Sequence, residues 1–289
     1  MEFKGLNKNA TRLLTGLILG TITLLCIKFG GIALLCLLLI VVIFASKEFV
    51  TILEHKGFYP SYKLMVVFVI LLAIVAFFHR FDLVPAVLTI GCISSFLWVL
   101  FKGRQPYIAN VATTVLGFIY CGWFPLHLLF LRDLSSAQYD NGLGFVMMMF
   151  SAILSTDIGC YYFGSHFGKN KLAPVVSPNK TIEGSIGGAI SAVMICLVFG
   201  YFLNVAWYLS ILAGLICTAC AQLGDLSESL LKRDAGVKDS GNTLPGHGGF
   251  LDRTDSFVFT IPAMYYFCEL FIFDNTIIQQ ISGFFKGLF

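Results

Sequence analysis

The stretch SESLLKRDAGVKDSGNTLPGHGGFLDRTD, residues 227–255, stands between two long apolar runs, 207–224 and 256–274. It contains five acidic residues, four basic residues and a glycine-rich turn. Carboxylates and cations side by side are the groups that bind a metal ion together with phosphates. The stretch therefore predicts where the chemistry lies, and the runs on either side predict that membrane helices hold it.

The remainder of the chain is mostly apolar. Of its 289 residues, 57% are hydrophobic and 12% are charged, whereas about 25% of the residues in soluble domains are charged. This composition predicts an integral membrane protein. The net charge of +3 is small, so nucleic-acid binding receives no support.

Apolar runs of membrane-spanning length recur along the whole chain. A helix needs about 20 mainly apolar residues to cross the hydrocarbon core. The runs are 13–27, 30–46, 64–79, 83–101, 107–131, 142–164, 184–203, 207–224 and 256–274. We therefore predict an all-α, polytopic membrane protein with about nine transmembrane helices, in which the first run is retained and not cleaved as a signal peptide.

No linker or change in composition divides the chain, so we predict one membrane domain over residues 1–289. The N-terminal spans, 1–135, are expected to pack and to border a lipid access path. Residues 136–275 are expected to hold the catalytic spans and loops. The tail, 276–289, has amphipathic spacing and either lies on the membrane surface as a short helix or frays.

The positions of lysine and arginine predict the orientation, because cytoplasmic loops carry the excess of these residues. With the N-terminus in the cytoplasm, nine spans leave only four of the 19 basic residues outside. These are Lys28, Arg80, Arg132 and Lys286. The polar stretch then faces the cytoplasm, so we predict a cytoplasmic active site in the C-terminal half. The short loops favour a bacterial inner membrane.

Two acids lie in or at the end of apolar runs, Asp157 and Asp225. Such an acid costs about 2.5–3.5 kcal/mol at the bilayer centre on insertion scales, so it usually faces a cavity, a partner or a metal. One interpretation is a polar contact between helices, with Asn204 or Gln222 as partner. The other is a role in the site, which is favoured for both acids. It is favoured more strongly for Asp225, because this residue stands three residues before Glu228 on one helical face.

Asp252 and Asp255 repeat this spacing at the start of the last span. Residues at i and i+3 project to the same side of a helix, so two helix ends could each offer a pair of carboxylates to a shared Mg²⁺. The alternative is an ordinary helix cap. That alternative suits Asp255 better than Asp252.

Two elements predict phosphate binding. In Gly246-His247-Gly248-Gly249, consecutive glycines let backbone N–H groups converge on an anion, and His247 either donates to phosphate or only shapes the turn. After Lys180, the N-terminus of the next span directs free N–H groups toward phosphate. Gly184 and Gly188 in that span are assigned to close helix packing. The cations of the polar stretch either bind phosphate or are ordinary cytoplasmic charges.

These residues closely resemble the CDP-diacylglycerol synthase family, also called phosphatidate cytidylyltransferase. The likeness comprises Ser229-Leu230-Leu231-Lys232-Arg233, Lys238-Asp239 and Pro245-Gly246-His247-Gly248-Gly249-Phe250-Leu251-Asp252-Arg253-Thr254-Asp255. It extends upstream to Gly224-Asp225-Leu226, to Ser177-Pro178, to Lys180-Thr181 and to Glu183-Gly184. At the level of motifs it covers about residues 157–256.

The resemblance implies that CTP and phosphatidate react to give CDP-diacylglycerol and pyrophosphate. It implies Mg²⁺ as cofactor, leaves a second, monovalent ion open, and is compatible with a homodimer in the lipid membrane. The phosphate of phosphatidate is anionic at neutral pH, since phosphate monoesters have a second pKa of about 6. It can therefore attack the α-phosphorus without a general base, and the protein positions the two anions and stabilises charge.

The resemblance also implies roles for individual residues. The expected metal ligands are Asp225 and Asp252 first, followed by Asp255, Asp239 and Asp157. The expected catalytic residues are Lys232, Arg233, Lys238, Asp239, His247 and Arg253. The residues expected to bind substrate are Ser177, Lys180, Thr181, Glu183, Ser229, Gly248 and Gly249.

Two other functions were weighed. A secondary transporter would also have about nine spans and buried acids, but it would place them near the bilayer midplane in both halves. In this sequence the polar residues gather in loops of one half. A CDP-alcohol phosphotransferase would carry an Asp-Gly-x-x-Ala-Arg type of sequence in a span, and the chain contains none.

Overall fold

A computed structural model of the protein describes residues 8–136, 138–139, 142–241, 243–244 and 248–274. The described part is mainly helical, and its strands form one short hairpin. The predicted all-α class is therefore confirmed. His247 and the predicted amphipathic tail, 276–289, lie outside the described residues.

Helices before the hairpin account for the first part of the chain. They are α1 (Lys8–Phe29), α2 (Gly31–His55), α3 (Tyr62–Phe77), α4 (Val84–Lys102), α5 (Tyr107–Gly117), α6 (Phe124–Asp133) and α7 (Leu143–Phe167). A 3₁₀ turn, Phe81–Leu83, leads into α4, and a π-helical turn, Phe118–Trp123, joins α5 to α6. Ser61 caps α3 by accepting a hydrogen bond from the Leu64 N–H.

The hairpin and three helices follow. Strands β1 (Lys171–Ala173) and β2 (Ser177–Thr181) pair antiparallel, with Lys171 opposite Thr181. The helices are α8 (Ile182–Phe202), α9 (Trp207–Asp234) and α10 (Leu251–Cys268), and a π-helical turn, Glu269–Phe273, extends α10.

Within the described residues, seven helical segments are long and apolar enough to cross a membrane. They are Gly31–His55, Phe81–Lys102, Tyr107–Asp133, Leu143–Phe167, Ile182–Phe202, Trp207–Asp234 and Leu251–Phe273. Each matches one of the predicted apolar runs. The two remaining runs form the shorter apolar helices Leu14–Phe29 and Tyr62–Phe77. The chain is therefore an integral membrane protein by helix length and hydropathy.

The described residues form two compact units. The first comprises 8–129 and 227–258, and the second comprises 130–226 and 259–274. The prediction of one membrane domain, with its subdivisions, stays a prediction.

The first unit has an aromatic and aliphatic core between α2, α3 and the π-helical turn. Val42, Phe68, Val69 and Phe118 are buried together there, and the rings of Phe68 and Phe118 have centroids 5.8 Å apart. A Cβ atom at Gly91 of α4 would come within 3.0 Å of the Phe118 ring, so glycine allows α4 to approach this core closely.

In the second unit, small residues bring α7 and α8 into close contact. A Cβ atom at Gly188 would lie 2.5 Å from Sγ of Cys160 and 2.9 Å from the carbonyl oxygen of Thr156. A Cβ atom at Gly184 would lie 2.8 Å from the Cys160 carbonyl oxygen. The prediction that Gly184 and Gly188 serve close packing is confirmed, and this packing sets the N-terminus of α8 beside α7.

Candidate active site

The second unit contains a cavity of about 220 Å³, which is lined by apolar surface and by the charged residues Asp157, Lys180 and Asp225. Its walls come from α7, the hairpin, the first turn of α8 and α9. Four predicted site residues, Asp157, Lys180, Thr181 and Asp225, line it together. They come from three separate parts of the sequence, so the fold brings together a set that residue spacing could only propose.

Lys180 and Asp225 form an ion pair inside this cavity. Nζ of Lys180 lies 2.6 Å from Oδ2 of Asp225, and the two side chains are 28% and 30% exposed. The pair is therefore partly hydrated and can separate when a stronger anion or cation arrives. Gln222, which was considered as a partner for the acids, donates to the carbonyl of Ser185 and to the hydroxyl of Thr218.

Two residues expected to bind substrate have structural contacts at the N-terminus of α8. Thr181 is the N-cap, and its hydroxyl accepts a hydrogen bond from the Gly184 N–H at 3.2 Å. Glu183 accepts hydrogen bonds from the backbone N–H groups of Lys169 and Asn170, at 3.1 and 3.2 Å, and thereby fastens the hairpin to the helix. Neither Glu183 nor Ser177 is among the described residues that line the cavity.

In the first unit, Asp252 is the centre of a second polar cluster. Nζ of Lys232 lies 2.7 Å from Oδ1 of Asp252, and both side chains are 12% exposed. Oδ2 of Asp252 accepts hydrogen bonds from the N–H groups of Ser240 and Gly249, each at 3.1 Å. The carboxylate therefore has one cation and two backbone donors, so it is held in a single orientation.

Glu228 lies beside this ion pair and is fully buried. Neither of its carboxylate oxygens accepts a hydrogen bond from the described residues, and Oε1 is 3.1 Å from Nζ of Lys232. The contact between Glu228 and Lys232 is an attraction between the carboxylate and the ammonium group. A buried carboxylate oxygen without a donor is costly, and hard cations prefer oxygen ligands. The carboxylates of this unit thus have the right chemistry for Mg²⁺.

The described carboxylates do not form a finished metal site by themselves. No group of three or more described His, Cys, Asp or Glu side chains is arranged to hold a metal ion. Mg²⁺ commonly takes one or two carboxylates and completes its octahedron with water and substrate phosphates. One or two of the acids would therefore suffice as protein ligands.

Sequence reasoning missed Glu48 of α2. Its side chain is 5% exposed, and it accepts hydrogen bonds from the Leu251 N–H at 2.8 Å, the Ser240 hydroxyl at 3.4 Å and the Thr243 hydroxyl. The signal was present, because an acid in an apolar run carries the same cost that singled out Asp157.

Two further contacts join the α2 region to the polar stretch. The rings of Phe44 and Phe250 are stacked with centroids 5.2 Å apart. Nζ of Lys56 lies 2.8 Å from Oδ1 of Asp234 and donates to the Asp234 carbonyl at 3.1 Å. The polar stretch is therefore attached to the N-terminal helices near both of its ends.

The other predicted site residues fall into two groups. The side chains of Arg233, Lys238, Asp239 and Arg253 are exposed, and those of Ser229 and Asp255 are half-buried. Of the glycine-rich turn, Gly248 has a φ angle of 81°, which favours glycine. Gly249 directs its N–H at Asp252, so in this structure that N–H serves the carboxylate.

Comparison with known proteins relates most of the chain to one family. The sequence profile described as "Cytidylyltransferase family" matches residues 10–271. A protein of Synechocystis sp. named phosphatidate cytidylyltransferase is 32% identical over 270 residues, which are 84% of this chain and 90% of that protein.

Staphylococcal proteins of the same name give shorter alignments with higher identity. The protein of Staphylococcus saprophyticus is 42% identical over 168 residues, which are 57% of this chain and 62% of that protein. The protein of Staphylococcus haemolyticus is 48% identical over 130 residues, which are 44% of this chain and 50% of that protein. Both alignments span less than two thirds of the staphylococcal proteins.

Proposed function

Because this chain belongs to the cytidylyltransferase family, we propose that it transfers the CMP group of CTP to phosphatidate. A phosphate oxygen of phosphatidate forms a bond to the α-phosphorus of CTP. The bond from that phosphorus to the bridging oxygen of the β-phosphate breaks, and the products are CDP-diacylglycerol and pyrophosphate. Relatives named phosphatidate cytidylyltransferase support this choice of substrates.

The observation that carries the proposal is a lysine–aspartate ion pair in each unit. Lys180 pairs with Asp225 at 2.6 Å, and Lys232 pairs with Asp252 at 2.7 Å. In each pair the carboxylate neutralises the charge of the ammonium group. Phosphate oxygens are strong acceptors for the same ammonium groups, so substrate binding would free the carboxylates for a metal.

The chain's own residues have two tasks in this reaction. The ammonium groups of Lys180 and Lys232, with the exposed cations of the polar stretch, bind phosphates and offset the charge on the leaving pyrophosphate. The walls of the cavity orient the phosphate that they enclose. No general base is needed, because the attacking phosphate oxygen is already anionic at neutral pH.

We propose Mg²⁺ as the cofactor, with Asp225 and Asp252 as the first candidates for its ligands and Asp255 and Asp157 as the next. When bound, Mg²⁺ supplies charge stabilisation to the phosphate oxygens in the transition state. The oxygen-rich donor set supports this assignment, since carboxylates are the protein ligands that Mg²⁺ prefers.

We also propose the finer membrane topology. Leu14–Phe29 and Tyr62–Phe77 would be the two additional spans, which gives nine with the seven long segments. An N-terminus in the cytoplasm is supported by the bias of lysine and arginine toward one set of loops. Bacterial relatives support an inner-membrane location. Homodimer formation stays a prediction.

The proposal is tested with purified protein in detergent, phosphatidate, Mg²⁺ and CTP labelled in either the α- or the γ-phosphate. The α-label should enter CDP-diacylglycerol and the γ-label should enter pyrophosphate. Removal of divalent metal with a chelator should stop both, and added Mg²⁺ should restore them.

Two results would contradict the proposal. One is γ-label in the lipid, which would mean that the wrong phosphate is transferred. The other is no labelled lipid from folded protein with any of several divalent metals, which would return a transport function to consideration.

A further inference from the structure

Glu48 is a buried acid, and both of its carboxylate oxygens accept hydrogen bonds from residues of the polar stretch. Oε2 accepts from the Leu251 N–H at 2.8 Å and from the Ser240 hydroxyl at 3.4 Å. Oε1 accepts from the Thr243 hydroxyl. All three donors belong to the segment 240–251, which lies about 200 residues further along the chain. One side chain of α2 therefore fastens that segment at three points.

Ser240 connects Glu48 to Asp252. Its hydroxyl donates to Glu48 and accepts from the Asp252 N–H at 3.3 Å. Its backbone N–H donates to Oδ2 of Asp252 at 3.1 Å. A displacement of Glu48 would thus be passed through one residue to both the backbone and the carboxylate of Asp252.

Gly241 and Gly249 lie close to the carboxylate of Glu48. A Cβ atom at Gly249 would lie 2.5 Å from Oε2 of Glu48, and a Cβ atom at Gly241 would lie 3.1 Å from Oε1. Neither position leaves ordinary van der Waals room for a side chain. Glycine at these two positions therefore allows the backbone to lie against the Glu48 carboxylate.

Leu251 is also the first residue of α10. Its N–H is one of the donors that a helix cannot satisfy internally, and an acceptor from another helix supplies the cap. A negative charge at this end of α10 is favoured by the helix dipole as well. Glu48 thus fixes where the helix that carries Asp252 begins.

We propose that Glu48 is a positioning residue for the nucleotidyl transfer. It acts through Ser240 and Leu251 to hold Asp252 and the start of α10 in place, and it has no contact with substrate. The inference rests on the proposed function for its kinetic consequence. Its structural consequence, the anchoring of segment 240–251, can be measured separately.

The experiment compares Glu48→Met with Glu48→Gln, and uses Glu54→Met as the matched control. Methionine keeps the length of the side chain and removes every acceptor. Glutamine keeps one acceptor oxygen, which can serve the Leu251 N–H. Glu54 is exposed on the same helix, so the control introduces the same residue without touching the segment.

For Glu48→Met we expect kcat to fall about tenfold or more, as it does when a residue that holds a ligating side chain in place is removed. KM for both substrates should change by less than about twofold. Glu48→Gln should recover most of that loss, and Glu54→Met should match wild type. Hydrogen–deuterium exchange should become faster in peptides covering 240–251 of Glu48→Met, with peptides from α8 unchanged.

Ser240→Ala provides a second variant if Glu48→Met does not fold. It removes the hydroxyl that donates to Glu48 and accepts from the Asp252 N–H. The bond from the residue's own N–H to Asp252 remains, as do the bonds of Glu48 to Leu251 and Thr243. Its effect on kcat should be non-additive with that of Glu48→Gln, since both act on one connection. Strict additivity, wild-type kcat in a folded Glu48→Met, or faster exchange throughout the helices would overturn the proposal.

The two proposals fail in different ways. If wild-type protein makes no CDP-diacylglycerol, the proposed function is wrong, while exchange in segment 240–251 still decides whether Glu48 anchors it. If wild type is active and Glu48→Met is equally active, the proposed function stands and the positioning role is wrong.

Discussion

The ammonium group of Lys232 lies 2.7 Å from the carboxylate of Asp252, and both side chains are 12% exposed. Lys232 is in the last turn of α9 and Asp252 is in the first turn of α10. The ion pair therefore joins the end of one helix to the start of the next across the polar stretch. Because it is mostly shielded from water, the removal of one partner leaves the other with a buried charge.

Asp252→Asn should abolish most of the activity. Asp252 is proposed as a ligand of the Mg²⁺ that stabilises charge in the transition state, and loss of such stabilisation costs about 100-fold or more in kcat. The folded state should lose about 1.5–3 kcal/mol, the contribution of a hydrogen bond to a charged group, because Lys232 keeps its contact with Glu228 at 3.1 Å. Transfer of α-labelled CTP to lipid and chemical unfolding in detergent measure the two effects.

Asp82→Asn is the control for that change. Asp82 makes the same kind of ion pair, with Arg80 at 2.7 Å, but both side chains are more than half exposed. Exposed pairs contribute little to stability, so this variant should retain wild-type activity and stability. Equal activity losses in the two variants would contradict a specific role for Asp252.

Lys180→Met should weaken CTP binding. A hydrogen bond to a charged group contributes about 1.5–3 kcal/mol, and 1.4 kcal/mol corresponds to a tenfold change in affinity. We therefore expect KM for CTP to rise about tenfold or more. Stability should change little, since the pair with Asp225 is about 30% exposed.

Initial rates over a range of CTP concentrations test this expectation. Lys171→Met is the control, because Lys171 is an exposed residue of the same hairpin and is not among the described residues that line the cavity. An unchanged KM in Lys180→Met would remove Lys180 from the phosphate site.

Gly249→Ala should disturb the polar stretch without changing any charge. The added Cβ atom would collide with the Ser240 hydroxyl and lie 2.5 Å from Oε2 of Glu48. Overpacking of this kind costs about 1–3 kcal/mol. Activity should fall, and the unfolding midpoint in detergent should decrease.

Gly20→Ala is its matched control. No atom lies within 4 Å of the place where a Cβ would stand at Gly20, and alanine is the better helix former by about 1 kcal/mol. This variant should be as active as wild type and at least as stable. A Gly249→Ala protein that behaves in the same way would show that segment 240–251 tolerates displacement.

Gly188→Ala should separate α7 from α8. Its Cβ atom would lie 2.5 Å from Sγ of Cys160 and 2.9 Å from the Thr156 carbonyl oxygen. The helices would have to move apart, at a cost of about 1–3 kcal/mol, and the cavity between them and the hairpin would change shape. Denaturant unfolding gives the stability change, and the double variant with Cys160→Ala should recover part of it.

Several parts of the candidate site could be predicted from residue spacing. Asp157 and Asp225 were recognised because an acid in an apolar run is costly, and they line one cavity with Lys180. Gly184 and Gly188 were recognised from small-residue spacing and do lie at a close helix contact. Both features are local in the sequence, so they can be recognised without knowing which residues are neighbours in space.

Other parts could not be predicted with the same reasoning. The role of Glu183 in substrate binding stays a prediction, and the sequence gives no sign that its carboxylate accepts hydrogen bonds from the N–H groups of Lys169 and Asn170. The position of the hairpin determines which N–H groups a glutamate at the start of this helix meets. The sequence predicts that the Gly249 N–H faces phosphate, and in the fold it donates to Oδ2 of Asp252.

The residues alone were sufficient for the membrane class, the helical architecture and the location of the polar stretch. Hydrocarbon selects for helices of a certain length and apolarity, and both properties are readable along one run of sequence. Only the tertiary structure determines which polar groups form hydrogen bonds and ion pairs with each other. Glu48 meets the N–H of Leu251, 203 residues away, because hydrophobic patterning specifies that a residue is buried and leaves open which helix lies against it.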